Sequence, residues 1–184
     1  SWHNIPCTDT CELKCGAGLR RDSNTCMSCP EGEWSSADDN SCVEITSVHD
    51  TNCDYMDASG HVYLNMAHVP DDAFKGCTTL RSVTLGPDVR TIGNYTFHKC
   101  SALTSVDLDL NNNVETIGSG AFYQTGITSV DLSNVRTIEN SAFSECTSLI
   151  SVVIGANVHT IGERAFLDAP LTSVTVYSQK LDES

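Results

Sequence analysis

At 184 residues and 40% apolar content, the chain is long enough for one domain plus a small appendage and too apolar to remain disordered. Ten Lys and Arg stand against 24 Asp and Glu, a net charge of -14, which argues against nucleic acid or an anionic membrane as partner because both need a clustered basic face. No stretch approaches the ~20 apolar residues of a membrane span, so the chain is expected to be soluble or externally attached.

The chain starts at Ser1 with neither a charged n-region nor an apolar h-region, as expected of a mature chain that has lost its leader or of one trimmed at that point. Seven of the ten cysteines, Cys7, Cys11, Cys15, Cys26, Cys29, Cys42 and Cys53, crowd into the first 53 residues, a density that points to an oxidising compartment. A zinc ribbon would need a second Cys-x-x-Cys pair beside Cys26 and Cys29, and none follows, so disulfides are favoured. Fewer than sixty residues with little apolar content need such bridges, each typically contributing a few kcal/mol. The run Cys26-Met-Ser-Cys29-Pro-Glu-Gly-Glu-Trp-Ser resembles the C-x-x-C-P-x-G-x-(Trp/Tyr)-S phrase of EGF-like and ephrin-receptor-like extracellular modules. That resemblance covers about thirty residues.

From residue 80 onward one phrase repeats. Leu80-Arg-Ser-Val-Thr-Leu85, Leu103-Thr-Ser-Val-Asp-Leu108, Ile127-Thr-Ser-Val-Asp-Leu132, Leu149-Ile-Ser-Val-Val-Ile154 and Leu171-Thr-Ser-Val-Thr-Val176 succeed one another at steps of 23, 24, 22 and 22 residues. The first four lead into Val-x-Thr-Ile, ending at Ile92, Ile117, Ile138 and Ile161, and then into Phe97, Phe122, Phe143 and Phe166. Val62-Tyr-Leu64, Val69 and Ala73-Phe74 read as a degenerate first copy. Val-x-Leu is a half-buried strand of period two, Val-x-Thr-Ile a second short extended piece, and the Phe an interior plug. One unit cannot bury its apolar face alone, whereas stacked units share a continuous core, which is the logic of a solenoid.

The composite phrase L-x-S-V-x-L…V-x-T-I-G-x-x-A-F-x-x-C-x-x-L resembles the BspA-like leucine-rich repeat over about residues 60 to 177. The resemblance implies a secreted or surface-anchored protein concerned with adhesion and protein recognition. The expected fold is mainly β: a right-handed leucine-rich-repeat solenoid of about five to six coils of 22–25 residues with a small disulfide-rich N-terminal cap. The expected divisions are a cysteine-rich module at 1–58, the solenoid at 59–177 and a tail at 178–184.

Cys77, Cys100 and Cys146 each follow the closing Phe by three residues, where the other two units carry Thr125 and Ala169. The position reads as a small buried rung occupied by free thiols, with Cys77 the doubtful member. Seven N-terminal cysteines are an odd number, leaving a free thiol, a bridge into the solenoid or a bond to another chain. A Cys53–Cys77 bridge is favoured, because both flank the degenerate first coil.

Strand alternation turns two columns outward: Ser82, Ser105, Ser129, Ser151, Ser173 and Thr84, Asp107, Asp131, Val153, Thr175. This face is small and polar, without the aromatic and Arg anchors of tight interfaces. Asp107 and Asp131, expected one strand apart, are the candidate pair for a divalent cation, though a solvated acidic patch is the simpler reading. Arg90, Glu115, Arg136 and His159 alternate in sign down the stack and are expected to form a ladder of surface ion pairs. Asn94-Tyr-Thr is an N-glycosylation sequon at an expected turn.

The six histidines, His3, His49, His61, His68, His98 and His159, fall at unrelated repeat positions, with no H-E-x-x-H and no nucleophile elbow, so neither an enzyme nor a cofactor is expected. Two functions remain. One is a structural subunit that self-associates head-to-tail into an extracellular fibre or surface layer. After Val176 only Tyr177 to Ser184 follow, so the last coil is expected to be poorly capped, with Trp2 and Tyr177 as candidate contacts between copies. The other is a monomeric surface adhesin binding a protein or glycan.

Overall fold

The computed structural model describes residues 53, 56–108 and 113–177, together with the backbone of four strands nearer the N-terminus. Those four are β1 (Leu19–Asp22), β2 (Thr25–Ser28), β3 (Glu33–Ser35) and β4 (Cys42–Glu44). They pair as two antiparallel ribbons, β1 with β2 and β3 with β4. The bonding of Cys7, Cys11, Cys15, Cys26, Cys29 and Cys42, the role of Trp2 and the tail 178–184 lie outside the described residues.

From residue 61 the chain winds as a β-solenoid. Each coil opens on a longer strand, His-Val-Tyr-Leu in the first coil and the Ser-Val phrase in the rest: β5 (His61–Leu64), β7 (Ser82–Leu85), β9 (Ser105–Asp107), β11 (Ser129–Leu132), β13 (Ser151–Ile154) and β15 (Ser173–Val176). Each then crosses the stack and forms a two-residue strand from the Thr-Ile phrase: β6 (His68–Val69), β8 (Thr91–Ile92), β10 (Thr116–Ile117), β12 (Thr137–Ile138) and β14 (Thr160–Ile161). Five coils carry both strands, and β15 begins a sixth. All pairings within the solenoid are parallel and in register, with His61 on Ser82 and His68 on Thr91 at the first coil and Ser on Ser and Thr on Thr thereafter, because each later coil repeats the same phrase at nearly the same spacing.

The sheet of short strands is continuous, in the order β14-β12-β10-β8-β6, whereas the longer strands form two separate sheets, β5-β7-β9 and β11-β13-β15. The break falls where the chain inserts the Asp109 to Asn113 stretch, the longest step in the repeat. Asp107 therefore closes one sheet and Asp131 opens the next. The strand pairing that was expected to stack them one above the other is missing.

Inside, the apolar positions of the phrase form columns that run the length of the rod. Leu80, Leu103, Ile127 and Leu149 are buried, as are Ile92, Ile117 and Ile138. Phe74, Phe97, Phe122, Phe143 and Phe166 stack with ring centroids 5.6, 5.3, 5.2 and 5.3 Å apart. Offset or stacked aromatic pairs contribute about 0.5–1.5 kcal/mol each beyond their buried area, so this column is a spine as well as a filling.

A third wall is made without strands. In the turn after each Thr-Ile strand, three alternate N–H groups donate to the coil that follows. Asp72, Phe74 and Gly76 donate to the carbonyls of Asn94, Thr96 and His98 at 2.8, 2.8 and 2.7 Å. Tyr95, Phe97 and Lys99 donate to Ser119, Ala121 and Tyr123, and the same pattern recurs from Gly120, Phe122 and Gln124 and from Ser141, Phe143 and Glu145. Aiming those N–H groups along the stack places the outer two residues of each triplet in the left-handed region: Tyr95 and Lys99 at φ 55° and 62°, Ser141 and Glu145 at 54° and 57°. Non-glycine residues there cost roughly 1–2 kcal/mol each, and the ladder of buried backbone bonds offsets that cost.

Candidate interaction surfaces

The Ser column and the Thr84, Asp107, Asp131, Val153, Thr175 column sit on the outward face of the longer strands. Every member is partly or fully exposed, while Val62, Val83, Val130 and Val152 between them are buried. The columns are thus interrupted once, at the break between β9 and β11. Asp131 is engaged locally: its Oδ1 accepts the Ser133 N–H at 2.9 Å and the Ser133 hydroxyl. Among the described residues no group of three or more His, Cys, Asp or Glu is placed to hold a metal ion.

Of the alternating charge column, one contact forms, Arg136 to Glu115 at 3.3 Å. Arg90 instead donates to the carbonyls of Pro87 and Val89 at 2.8 and 3.2 Å. Its guanidinium reaches neutral backbone in its own turn more easily than a mobile carboxylate a coil away, as expected where exposed ion pairs are worth little.

The sequon residues have a structural role that the motif alone does not reveal. Asn94 Nδ2 donates to Asp71 Oδ2 at 3.1 Å, the Asn94 N–H donates to Asp71 Oδ1 at 2.7 Å, and Asn94 Oδ1 accepts the Ser119 N–H at 2.8 Å. Asn140 repeats the motif by accepting the Glu163 N–H at 2.8 Å. Thr96 is fully buried, its hydroxyl within 3.0 and 2.9 Å of the Pro70 and Gly93 carbonyls. These are side-chain rungs joining one coil to the next. A spacing argument could have found them, since Asp71, Asn94, Ser119, Asn140 and Glu163 all stand at the same point of the repeat.

The cysteines divide in two. Cys53 and Cys77 are joined by a disulfide with Cα atoms 5.3 Å apart, tying the segment before the solenoid to its first coil. Cys100 and Cys146 are free and buried, and their thiols donate to the carbonyls of Phe74 and Phe122, each at 3.0 Å. Burial pushes the Cys100 thiol up to about 12 and raises that of Cys146 as well, which favours the protonated, packed form of both. Thr125 fills the same rung in the coil between them, with its hydroxyl 3.0 Å from the Phe122 carbonyl.

The two ends of the stack differ. In the first coil Val62, Leu64, Val69 and Phe74 are fully buried, with Cys53 and Met56 packed against the core. At the last coil Ile161 and Leu167 are exposed, and Val174, Val176 and Tyr177 are 55%, 65% and 58% exposed. Arg164, Phe166 and Asp168 occupy the three donor positions that every inner coil uses to bond its successor, with Arg164 and Asp168 left-handed at φ 58° and 59°. Among the described residues their N–H groups meet no acceptor. The outer edges of β14 and β15 are likewise unpaired. The last coil therefore presents a surface shaped for one more coil, an apolar row flanked by two strand edges and a set of aimed donors.

The BspA type leucine-rich repeat region, in six copies, matches residues 67–183. The chain belongs to that family of leucine-rich-repeat proteins, and such solenoids generally serve as scaffolds for recognition. Among solved structures, the Treponema pallidum leucine-rich-repeat protein is similar at 31% identity with a TM-score of 0.58, over 62% of this chain and 57% of that one. A leucine-rich cell surface protein of Faecalibacterium prausnitzii is similar at 23% identity with a TM-score of 0.48, over 82% of this chain and 47% of that one. The chain thus spans about half the length of either protein. No curated protein matches it.

Proposed function

We propose that this protein is a non-enzymatic extracellular subunit that associates end-on with further copies of itself, building a fibre or surface layer. The observation that carries the reading is the last described coil, where exposed Val174, Val176 and Tyr177 lie beside the N–H groups of Arg164, Phe166 and Asp168, which meet no acceptor among the described residues. Each inner coil meets the same surface of its predecessor with backbone laid in parallel register, and a further copy would supply backbone to it from its N-terminal side. The first coil is closed, so the next copy meets this end with the segment that lies over that coil rather than with bare core. A head-to-tail contact of this kind does not close on itself and continues as a filament.

The Cys53–Cys77 disulfide and the cysteine-dense N-terminal region support an oxidising, extracellular setting. No helix among the described residues is long and apolar enough to cross a membrane.

A second reading is a monomeric surface module that binds a protein or glycan on the strand face. The exposed Ser and Thr/Asp columns favour it, since they form a regular polar surface with no described residue folded across it. Negative-stain imaging at increasing concentration separates the two. Unbranched fibres that lengthen with concentration are expected; dispersed single particles at every concentration would overturn end-on assembly and leave the strand face as the working surface.

A further inference from the structure

A groove of about 480 Å³ runs along the turns of the first to fourth coils. It is lined by Thr78, Lys99, Ser101, Gln124, Glu145 and Thr147, with Thr125, Gly126 and Ser148 completing it. Three of these, Lys99, Gln124 and Glu145, are the left-handed residues that close successive coils. Glycine occupies the equivalent position in the first coil, Gly76, and a glycine there would relieve the conformational cost of each of the three. In place of glycine, three long polar side chains project from adjacent rungs into one groove.

They are also organised. Glu145 accepts the Tyr123 hydroxyl and the Gln124 amide, the latter at 2.5 Å, so the carboxylate is held in a fixed direction. Those two hydrogen bonds and the nearby Lys99 charge hold its pKa below the usual carboxylate range. Two of its roughly four lone-pair sites are used and the others are available. Tyr123 in turn stacks on His98 at 4.7 Å, which fixes the ring at the border of the groove.

The chemistry of the lining selects the ligand. No large apolar side chain is present for a lipid or an apolar peptide. One carboxylate is too few for a divalent cation. One ammonium beside that carboxylate does not suit a polyanion. What remains are four hydroxyls outside the buried ladder, those of Thr78, Ser101, Thr147 and Ser148, with an amide, a carboxylate and an ammonium, a mixed set of donors and acceptors. The volume lies within the ~300–1,000 Å³ of small-ligand sites. We propose that this groove binds an uncharged saccharide, whose hydroxyls each both donate and accept, with Glu145 and Gln124 as the paired contacts and Lys99 as a flanking donor. This goes beyond the end-on assembly and does not depend on it.

The test uses the whole chain on an array of neutral oligosaccharides ending in glucose, galactose, mannose or N-acetylglucosamine, alongside sialylated glycans and heparin. Binding to at least one neutral series is expected, with the amide shifts it produces in isotope-labelled protein concentrated at Lys99, Gln124 and Glu145. In Lys99→Gly and Gln124→Gly the affinity should fall at least tenfold while the thermal midpoint stays level or rises, because glycine suits these backbone positions. Retention of acidic glycans alone, amide shifts confined to other faces, or glycine variants that bind like the parent would each overturn the proposal, as would an array with no neutral binder.

Discussion

At the scale of single residues, the solenoid depends on positions where one atom more would not fit or one proton fewer would not be tolerated. A Cβ on Gly118 would lie 2.7 Å from the backbone carbon of Gly93 in the coil before, closer than real contacts allow. A Cβ on Gly76 would meet nothing within 4 Å and carries only the left-handed φ of 78°. Gly118→Ala should therefore cost about 2–3 kcal/mol, as overpacking against rigid backbone does, and Gly76→Ala about 1 kcal/mol, measurable as denaturant midpoints at a constant slope. The buried thiols give a pH signature. Burial pushes the Cys100 thiol up to about 12 in the fold, whereas the same thiol in the unfolded chain ionises near the ordinary thiol value of 9.0. Its contribution to stability is present below about pH 9 and is lost as pH rises toward 12, so alkaline unfolding should be delayed in Cys100→Ala relative to the parent. In the native protein at pH 8 a thiol reagent should leave Cys100 and Cys146 unmodified and react with both only after unfolding.

At the scale of elements, the disulfide between Cys53 and Cys77 links residues 24 apart and anchors the first coil, whose phrase is the least regular of the series. Closing a loop of that size restricts the unfolded chain by about 3 kcal/mol, so Cys53→Ala/Cys77→Ala should unfold earlier by that amount, with the loss concentrated in coil one when followed by hydrogen exchange. The strands and their register were legible in the sequence, because Val83, Val130 and Val152 alternate with Ser and Thr at period two and recur at a nearly constant step. Phe74 to Phe166 were legible as interior plugs for the same reason. The left-handed turn residues were not, since the usual signal is Gly or Asn, whereas Tyr95, Lys99, Gln124, Ser141 and Glu145 are held there by bonds to the next coil that no single unit displays. The break between β9 and β11 was hidden as well, because Ile127-Thr-Ser-Val-Asp-Leu132 copies its predecessor. For the surfaces, alternation revealed the outward Ser and Asp columns. The groove of Lys99, Gln124 and Glu145 was invisible, because it is assembled from rungs of three different coils.

At the scale of the whole molecule, a solenoid has two ends and a stack of similar sides, and function follows from which of these is left unsatisfied. Among the described residues the first coil is closed over its core, and the last leaves apolar side chains, strand edges and backbone donors without partners. Satisfying them with another copy accounts for all three features at once, which a ligand on the strand face does not. The account predicts that association depends on the last coil and is insensitive to changes in the Ser column. The most direct measurement is light scattering across a concentration series, comparing the native chain with a Val174→Lys/Val176→Lys variant. The native mass should climb above the 19.8 kDa of one chain as concentration rises, and the variant should remain at 19.8 kDa throughout. A native mass fixed at 19.8 kDa, or a variant that climbs with it, would contradict the account.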